Sequence, residues 1–391
     1  MLYIIGAGAA GLFAALSADE THKTIQIIDH QPLAGSKLII AGGGRCNISN
    51  SGDLLGNLHQ YRFLRPALAS LDFDALTEVL RKIPISITTD SLGRAYPQNT
   101  DGRGFALAVE NHLKDRGVAF TYGRSLTGLQ VEEGRLRGIV VDGSPIPASQ
   151  VILATGGASW PGTGCDGSAF KILKQWHTIH QPLPALVPLK TAETWPADAT
   201  GISLSNIPLT LSAGSKILDT TRGDLLFTHF GLSGPAVLDI SWAAARALAD
   251  SKVPTLTLDL LPQLTLAQLL RFFGKNQNKT AANALSALLP KQLARLIAPD
   301  STLKGLAPST LEKKVRSIKE QSLTITGTLG MKGAMVTQGG IELKEVNPRT
   351  MESQKVQGLF LAGELLDYHG RTGGFNIHAA FATGYLAGKN I

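Results

Sequence analysis

The chain has 391 residues, 43% of them apolar and 17% charged, with a formal net charge of +7. That length allows two or three domains, and that balance excludes disordered and fibrous classes in favour of a well-cored globular protein. The two cysteines, Cys46 and Cys165, lie far apart without a C-x-x-C, which excludes a disulfide scaffold and a dithiol redox centre.

A reducing cytoplasm fits that cysteine usage. No apolar run reaches the length of a bilayer span, and strand character begins at Leu2, so we expect a cytoplasmic chain with no leader and no membrane contact. The 42 glycines gather beside apolar runs, where a backbone must turn tightly or approach a ligand, and this favours a nucleotide-binding enzyme.

The first predicted elements are a strand over residues 2–5, a glycine turn over 6–11, a small-residue helix over 12–18 and a second strand over 24–28. Helices are expected over 72–82 and 105–116, strands over 118–122, 126–131 and 136–141, and a buried strand over 151–154 that runs into Thr155, Gly156 and Gly157. Past Pro182, Pro184 and Pro188 the pattern becomes one of short alternating strands, as at 207–211 and 255–260. Residues 263–321 read as helical, with capping-box spacing at Thr265 and Gln268 and at Ser309 and Glu312, and with Pro290 at a helix start. Strand character returns at 323–325, and 358–388 close the chain with a strand, a glycine loop and a helix.

This order predicts an α/β protein. A discontinuous Rossmann-type dinucleotide domain over 1–188 and 330–391 is interrupted by a β insert over 189–262, with a return strand at 322–329, and by a nested helical insert over 263–321. The helical insert holds ten Lys or Arg (Arg271, Lys275, Lys279, Lys291, Arg295, Lys304, Lys313, Lys314, Arg316, Lys319) against Asp300, Glu312 and Glu320, so it carries the whole net charge of the chain. Such an element could steer an anionic partner such as RNA, or simply be a solvated helix surface, since no aromatic stacking platform is interleaved with the charges.

Gly6, Gly8 and Gly11 form a G-x-G-x-x-G between strand and helix. In that context the first glycine makes the turn, the second admits a pyrophosphate to the amides of Ala9 and Ala10, and the third lets helix and strand pack. Asp29 ends the second strand, where a carboxylate accepts from ribose hydroxyls. The far end of the chain decides for FAD over NAD: an apolar strand stops at Gly363 and Glu364, suited to a ribityl chain, and Thr372, Gly373, Gly374, Phe375 and Asn376 start a helix whose amides face the flavin edge where negative charge gathers.

The runs Gly42-Gly43-Gly44-Arg45-Cys46-Asn47, Ala154-Thr155-Gly156-Gly157, Leu225 through Pro235, and Ala362 through Asn376 span the chain, and in them the sequence resembles the BaiN/RdsA-like family of FAD-dependent oxidoreductases. The resemblance implies a discontinuous FAD domain with a β-barrel-like insertion and a helical insertion. Relatives in that family include a bile-acid enone reductase, an aminoacetone oxidase and a ribosomal-RNA dihydrouridine synthase. The segment Tyr368-His369-Gly370-Arg371 falls in a region that varies in the family and does not assign a substrate.

Roles follow for the residues in these runs. Lys37, Gly44 and Arg45 suit the FAD pyrophosphate or an anionic substrate, and Asn47 suits the flavin. Cys46 beside a cation is a candidate proton donor if its thiol pKa is depressed, and otherwise a small residue that packs where space is limited. His229 is a candidate acid or base set against a structural histidine, and Tyr368 is a third candidate donor. No metal is expected. The chain contains no second glycine fingerprint, so NAD(P)H would serve only as a transient donor. The reaction expected is reduction of an activated C=C bond, in an enone or a uracil ring that rRNA could carry. The alternatives are an aminoacetone or amine oxidase releasing peroxide, and a non-catalytic flavin-bearing RNA-binding factor.

Overall fold

The computed structural model describes residues 1–18, 24–298, 302–305 and 307–391. They form two compact units, one of Met1–Leu183 with Met335–Ile391 and the other of Pro184–Ala334.

The first unit is built on a five-stranded parallel sheet. Its opening strands are β1 (Leu2–Ile5) and β2 (Ile25–Asp29), joined by the helix Ala9–Ala18. Next come β3 (Ser49–Asn50), β4 (Ile87–Thr89) and β5 (Arg94–Pro97), which pair as a small sheet in the order β3-β5-β4. β6 (Ala119–Tyr122) joins the main sheet, and β7 (Leu126–Glu132), β8 (Arg135–Val141) and β9 (Ser144–Pro147) make an antiparallel meander. β10 (Val151–Leu153) returns to the main sheet beside β1, in the register Tyr3 to Val151 and Ile5 to Leu153.

Of the helices expected here, the one over Phe73–Arg81 is capped by Asp72, whose carboxylate accepts from the Ala75 amide. The one over Gly102–Asp115 is capped by Asp101 on Gly104 and so begins a turn earlier than its apolar periodicity predicts.

β11 (Ile179–Ala185) leads out of this unit. The second unit contains a closed barrel of β12 (Leu189–Thr191), β13 (Ser203–Ala213), β14 (Lys216–Thr228), β15 (Gly231–Ser233), β16 (Thr255–Asp259) and β17 (Glu320–Thr328), ordered β12-β15-β14-β13-β16-β17. Closure leaves no edge strand exposed. A 15-residue helix, Pro235–Ala249, interrupts what the sequence pattern presents as strands alone. Gly234, at φ 94°, sets the turn into it and Pro235 takes the first helical position, where its missing N–H costs nothing. Val237, Ile240 and Ala244 of this helix share one core with Leu209, Leu225, Phe227, Leu256 and Leu323 of the barrel.

The helical module enters the same core through Leu269, Phe273, Leu285, Leu293, Val315 and Ile318. Thr265 and Gln268 form the expected capping box. Ser309 and Glu312 do not: that helix starts at Pro308 behind Ala307, which supplies no side-chain cap. Eight of the ten basic residues are exposed, Lys314 is half-buried, and Asp300 lies outside the described residues. Lys319 is turned inward, where its Nζ donates to both Asp259 carboxylate oxygens at 2.9 and 2.8 Å and to the carbonyls of Leu261 and Leu264, tying helix to barrel.

The chain re-enters the first unit through β18 (Val336–Ile341), which pairs with β11, and β19 (Leu359–Leu361), which completes the sheet order β19-β10-β1-β2-β6. The last helix, Phe375–Lys389, packs on the first. Phe13 and Phe381 stack with centroids 3.9 Å apart, and Ser17 Oγ donates to the Tyr385 carbonyl at 2.8 Å. Among the described residues no helix is long and apolar enough to cross a membrane.

Candidate active site

The three glycines of the opening turn have three distinct mechanical roles. A Cβ on Gly6 would lie 2.3 Å from the Ala154 carbonyl oxygen, and one on Gly11 would lie 1.8 Å from the Gly6 carbonyl oxygen, so both are places where backbone meets backbone. A Cβ on Gly8 would meet nothing within 4 Å. Open space at the middle glycine, at the positive end of the helix Ala9–Ala18, is what a pyrophosphate needs.

Asp29 closes the turn: one carboxylate oxygen accepts from the Ala7 amide at 2.6 Å and the other from the Gln31 amide at 2.7 Å. Each oxygen keeps a lone pair for a ribose hydroxyl.

Two further side chains present buried oxygens without a hydrogen-bond partner, Thr155 Oγ1 at the end of β10 and Asn47 Oδ1 after the glycine triplet. A buried acceptor or hydroxyl left unpaired costs roughly 1–3 kcal/mol, and these two stand beside the glycine turns where a ligand could complete them. Asn47 Oδ1 would lie 2.7 Å from a Cβ on Gly374, and the Asn50 amide donates to the Gly373 carbonyl at 3.1 Å, so β3 and the loop before the last helix face each other. Gly374 caps that helix at φ 97°. Asn376 holds the loop rather than a ligand: its side chain accepts from the Gly370 amide at 2.7 Å and donates to the Gly370 and Arg371 carbonyls. Phe375 is buried in the core beneath it.

Glu364 and Lys37 differ from expectation in what they bind. Lys37 Nζ donates to Glu364 Oε2 and to Ser159 Oγ, both at 2.6 Å. Glu364 Oε1 accepts in turn from Ser159 Oγ at 2.9 Å and from the Thr337 amide. Burial would lower the Lys37 pKa, but the adjacent carboxylate overrides it and holds the ammonium above its ordinary value. The pair is therefore a strut that joins segments around 37, 159, 337 and 364, and the pyrophosphate role expected for Lys37 gives way to it. Ser159 and Thr337, whose Oγ1 accepts from the Ala158 and Ser159 amides, carried no sequence signal. Gly157 sits against them, since its Cβ would lie 2.4 Å from Thr337 Oγ1, and Gly156 turns at φ 75° beside Cys165.

The three candidate proton donors separate. Cys46 is fully buried at φ 56°, and burial, helped by the Asp101 carboxylate, pushes its thiol up to about 12, the reverse of the depressed value expected beside a cation. It packs where space is short. His229 is exposed on the turn between β14 and β15 of the second unit, its ring edge-on to Phe230 at 4.8 Å, and not in the apolar setting its sequence neighbours suggest. Tyr368 is 2% exposed, and that burial raises its phenol pKa and keeps the proton on. It stands two residues before the loop 370–374. His378, on the last helix, is structural. Its Nδ1 meets Ser49 Oγ at 2.6 Å and its Nε2 meets the Leu71 carbonyl at 2.8 Å, and burial lowers its pKa to about 4.

Gly44 and Arg45 line a separate cavity of about 540 Å³, to which neither the Gly8 turn nor the 363–374 segment contributes.

A family model described as the HI0933-like protein Rossmann domain matches residues 1–390. The chain belongs to this family. Two curated relatives match it nearly end to end, over 99% of this chain and 97% of each relative. One is the 3-dehydro-bile acid delta(4,6)-reductase of Clostridium scindens, 32% identical, and the other is the ribosomal RNA dihydrouridine synthase of Escherichia coli, 29% identical. Among solved structures, the 3-ketosteroid delta1-dehydrogenase of Sterolibacterium denitrificans aligns over 99% of this chain and 98% of its own, with a TM-score of 0.51 at 11% identity. The Escherichia coli quinol fumarate reductase FrdA aligns over 99% of this chain and 69% of its own, with a TM-score of 0.51 at 17% identity. These two likenesses are of fold.

This member of the HI0933-like family is an FAD-dependent oxidoreductase. The space above Gly8 and the unpaired atoms of Thr155 and Asn47 fit FAD, which the Asp29 turn, the 155–157 loop and the 363–374 segment would hold.

Proposed function

We propose that the chain reduces a ring C=C bond conjugated to a carbonyl, with NADH or NADPH as the source of electrons. The observation that carries this reading is the place of Tyr368, a phenol that is 2% exposed and stands two residues ahead of the loop 370–374 that caps the last helix. Reduction of a conjugated alkene consumes a hydride at the carbon β to the carbonyl and a proton at the α-carbon, so the site needs an acid. Amine oxidation asks for none. The names of the two full-length relatives, a delta(4,6)-reductase and a dihydrouridine synthase, both describe saturation of a ring double bond.

Bound FAD supplies the two-electron carrier between nicotinamide and alkene. The chain's own residues do the rest. Amides at the start of the helix Phe375–Lys389 favour negative charge at the flavin edge. Asn47 and Thr155 orient the cofactor through their free oxygens. Tyr368 delivers the proton. An RNA-borne uracil ring is favoured over a free enone by the exposed basic side chains of the helical module, which would raise the local concentration of a polyanion.

Anaerobic stopped-flow spectroscopy tests the reading. NADPH or NADH should bleach the flavin, and a uridine-containing RNA fragment or a steroidal enone should restore its colour, the RNA arm weakening steeply with salt. Bleaching by aminoacetone without nicotinamide, with peroxide on admitting air, would replace the reductase by an oxidase.

A further inference from the structure

We propose that the cavity beside Arg45 is a docking site for a phosphorylated nucleoside, and that on the reductase reading its occupant is the adenylate half of the nicotinamide donor. The cavity, of about 540 Å³, is walled by Gly43, Gly44, Arg45, Tyr96, Thr100 and Asp101 among others. The space is open to solvent on one side and has room for a mononucleotide.

Arg45 is the group it offers an anion. The Arg45 guanidinium lies over the Tyr96 ring, 4.9 Å from the centroid, and is exposed. No carboxylate of the described residues pairs with it, so the stacking fixes its plane while its N–H fork stays available for a phosphate. Its outer face is a platform for a base, since guanidinium planes and nucleobases stack well.

Next to it, Gly42 and Gly43 are both left-handed, at φ 59° and 68°, and Gly44 follows at φ 90°. Glycine adopts these conformations without strain, and a Cβ on Gly43 would meet nothing within 4 Å, so the backbone leaves room for a ligand there. The 14-residue helix Gly102–Asp115 begins just after Thr100 and Asp101, which line the same space. Asp101, the acid among the lining residues named, caps that helix on the Gly104 amide at 2.8 Å and keeps its charge, so a phosphate here relies on Arg45.

A phosphorylated nucleoside could come from NADPH or from an RNA strand, and the ligands used separate the two. FAD-loaded protein, in which the dinucleotide crevice is filled, is titrated with adenosine 2′,5′-bisphosphate and with uridine 5′-monophosphate. We expect the adenosine ligand to bind at millimolar concentration or tighter, Arg45→Ala to weaken it by roughly tenfold or more, and Arg45→Lys to recover part of the loss. Preference for the uridine ligand, with the same Arg45 dependence, would keep the site and move its occupant to the substrate strand. Failure of both ligands to bind, or equal binding by Arg45→Ala with an unchanged unfolding midpoint, overturns the proposal. Binding needs no turnover, so Arg45-dependent adenylate binding with no bleaching by NAD(P)H would sink the reductase reading and leave the site standing.

Discussion

Lys37 and Glu364 stand 327 positions apart and meet at 2.6 Å, so one partly buried ion pair spans the two chain segments of the FAD-binding unit. Ser159 bonds to both partners, which joins a third segment to the strut. Removing one partner leaves the other charge partly buried and unpaired. Lys37→Met or Glu364→Gln should each cost about 1–3 kcal/mol in urea unfolding, below the range for fully buried pairs because both side chains keep some solvent contact. The double variant should recover part of that loss, and a double-mutant cycle with no coupling would remove the strut. The folded pKa of Lys37 is raised, so its stabilisation is complete below the ordinary lysine value near ~10.4 and is lost as pH rises through the folded value. Wild type and Lys37→Met should converge in strong alkali.

Gly384 allows the first and last helices to touch. A Cβ there would lie 2.0 Å from the Ala10 carbonyl oxygen, backbone that cannot swing aside. Gly384→Ala should destabilise by about 1–3 kcal/mol and lower the retained FAD, because the helix it displaces begins at the Gly8 turn. Gly274→Ala is the contrast. It lies inside a helix with nothing near its absent Cβ, so the same change should stabilise by about 0.5–1 kcal/mol.

His378 makes the fold acid-sensitive. Its pKa is about 4 in the folded protein against an ordinary value of 6.5, because burial disfavours the charged ring. The unfolded chain therefore takes up a proton first, so the stability His378 contributes is present above pH 6.5 and is lost as pH falls towards 4, by about 3 kcal/mol in all. Unfolding midpoints measured at neutral pH and near pH 4.5 should differ less in His378→Leu than in wild type.

Cys46 should be silent. With its thiol pushed up to about 12 and no exposed surface, native protein should resist iodoacetamide at that position at mildly alkaline pH. Cys46→Ala should be reoxidised by its acceptor within about twofold of wild type, because a thiol that contributes only packing contributes no proton. A tenfold slower reoxidation would restore it as a donor.

Features set by local chemistry were legible in the sequence. The Gly6 turn, β1, β10, the Asp72 cap and the Thr265 capping box each depend on a few neighbouring residues. The helix Pro235–Ala249 was hidden because its alanines carry weak periodicity between strongly patterned strands. Gly384 and Gly388, four apart on the last helix, were the one available sign that this helix packs closely on another, since a Cβ on either would strike the backbone of the first.

The amino-acid sequence alone determined the dinucleotide fold, because a glycine fingerprint and its flanking acid act through backbone geometry within one short stretch, and the run from Ala362 to Asn376 with the other motif runs determined FAD and the family. Tertiary structure decided which charged and titratable groups are free to act. Lys37 and Glu364 were each plausible ligands for FAD until the fold placed them against one another, Cys46 looked activated until burial reversed its pKa, and Arg45 turned to a cavity of its own. Desolvation and pairing depend on groups hundreds of positions away, so no local pattern encodes them.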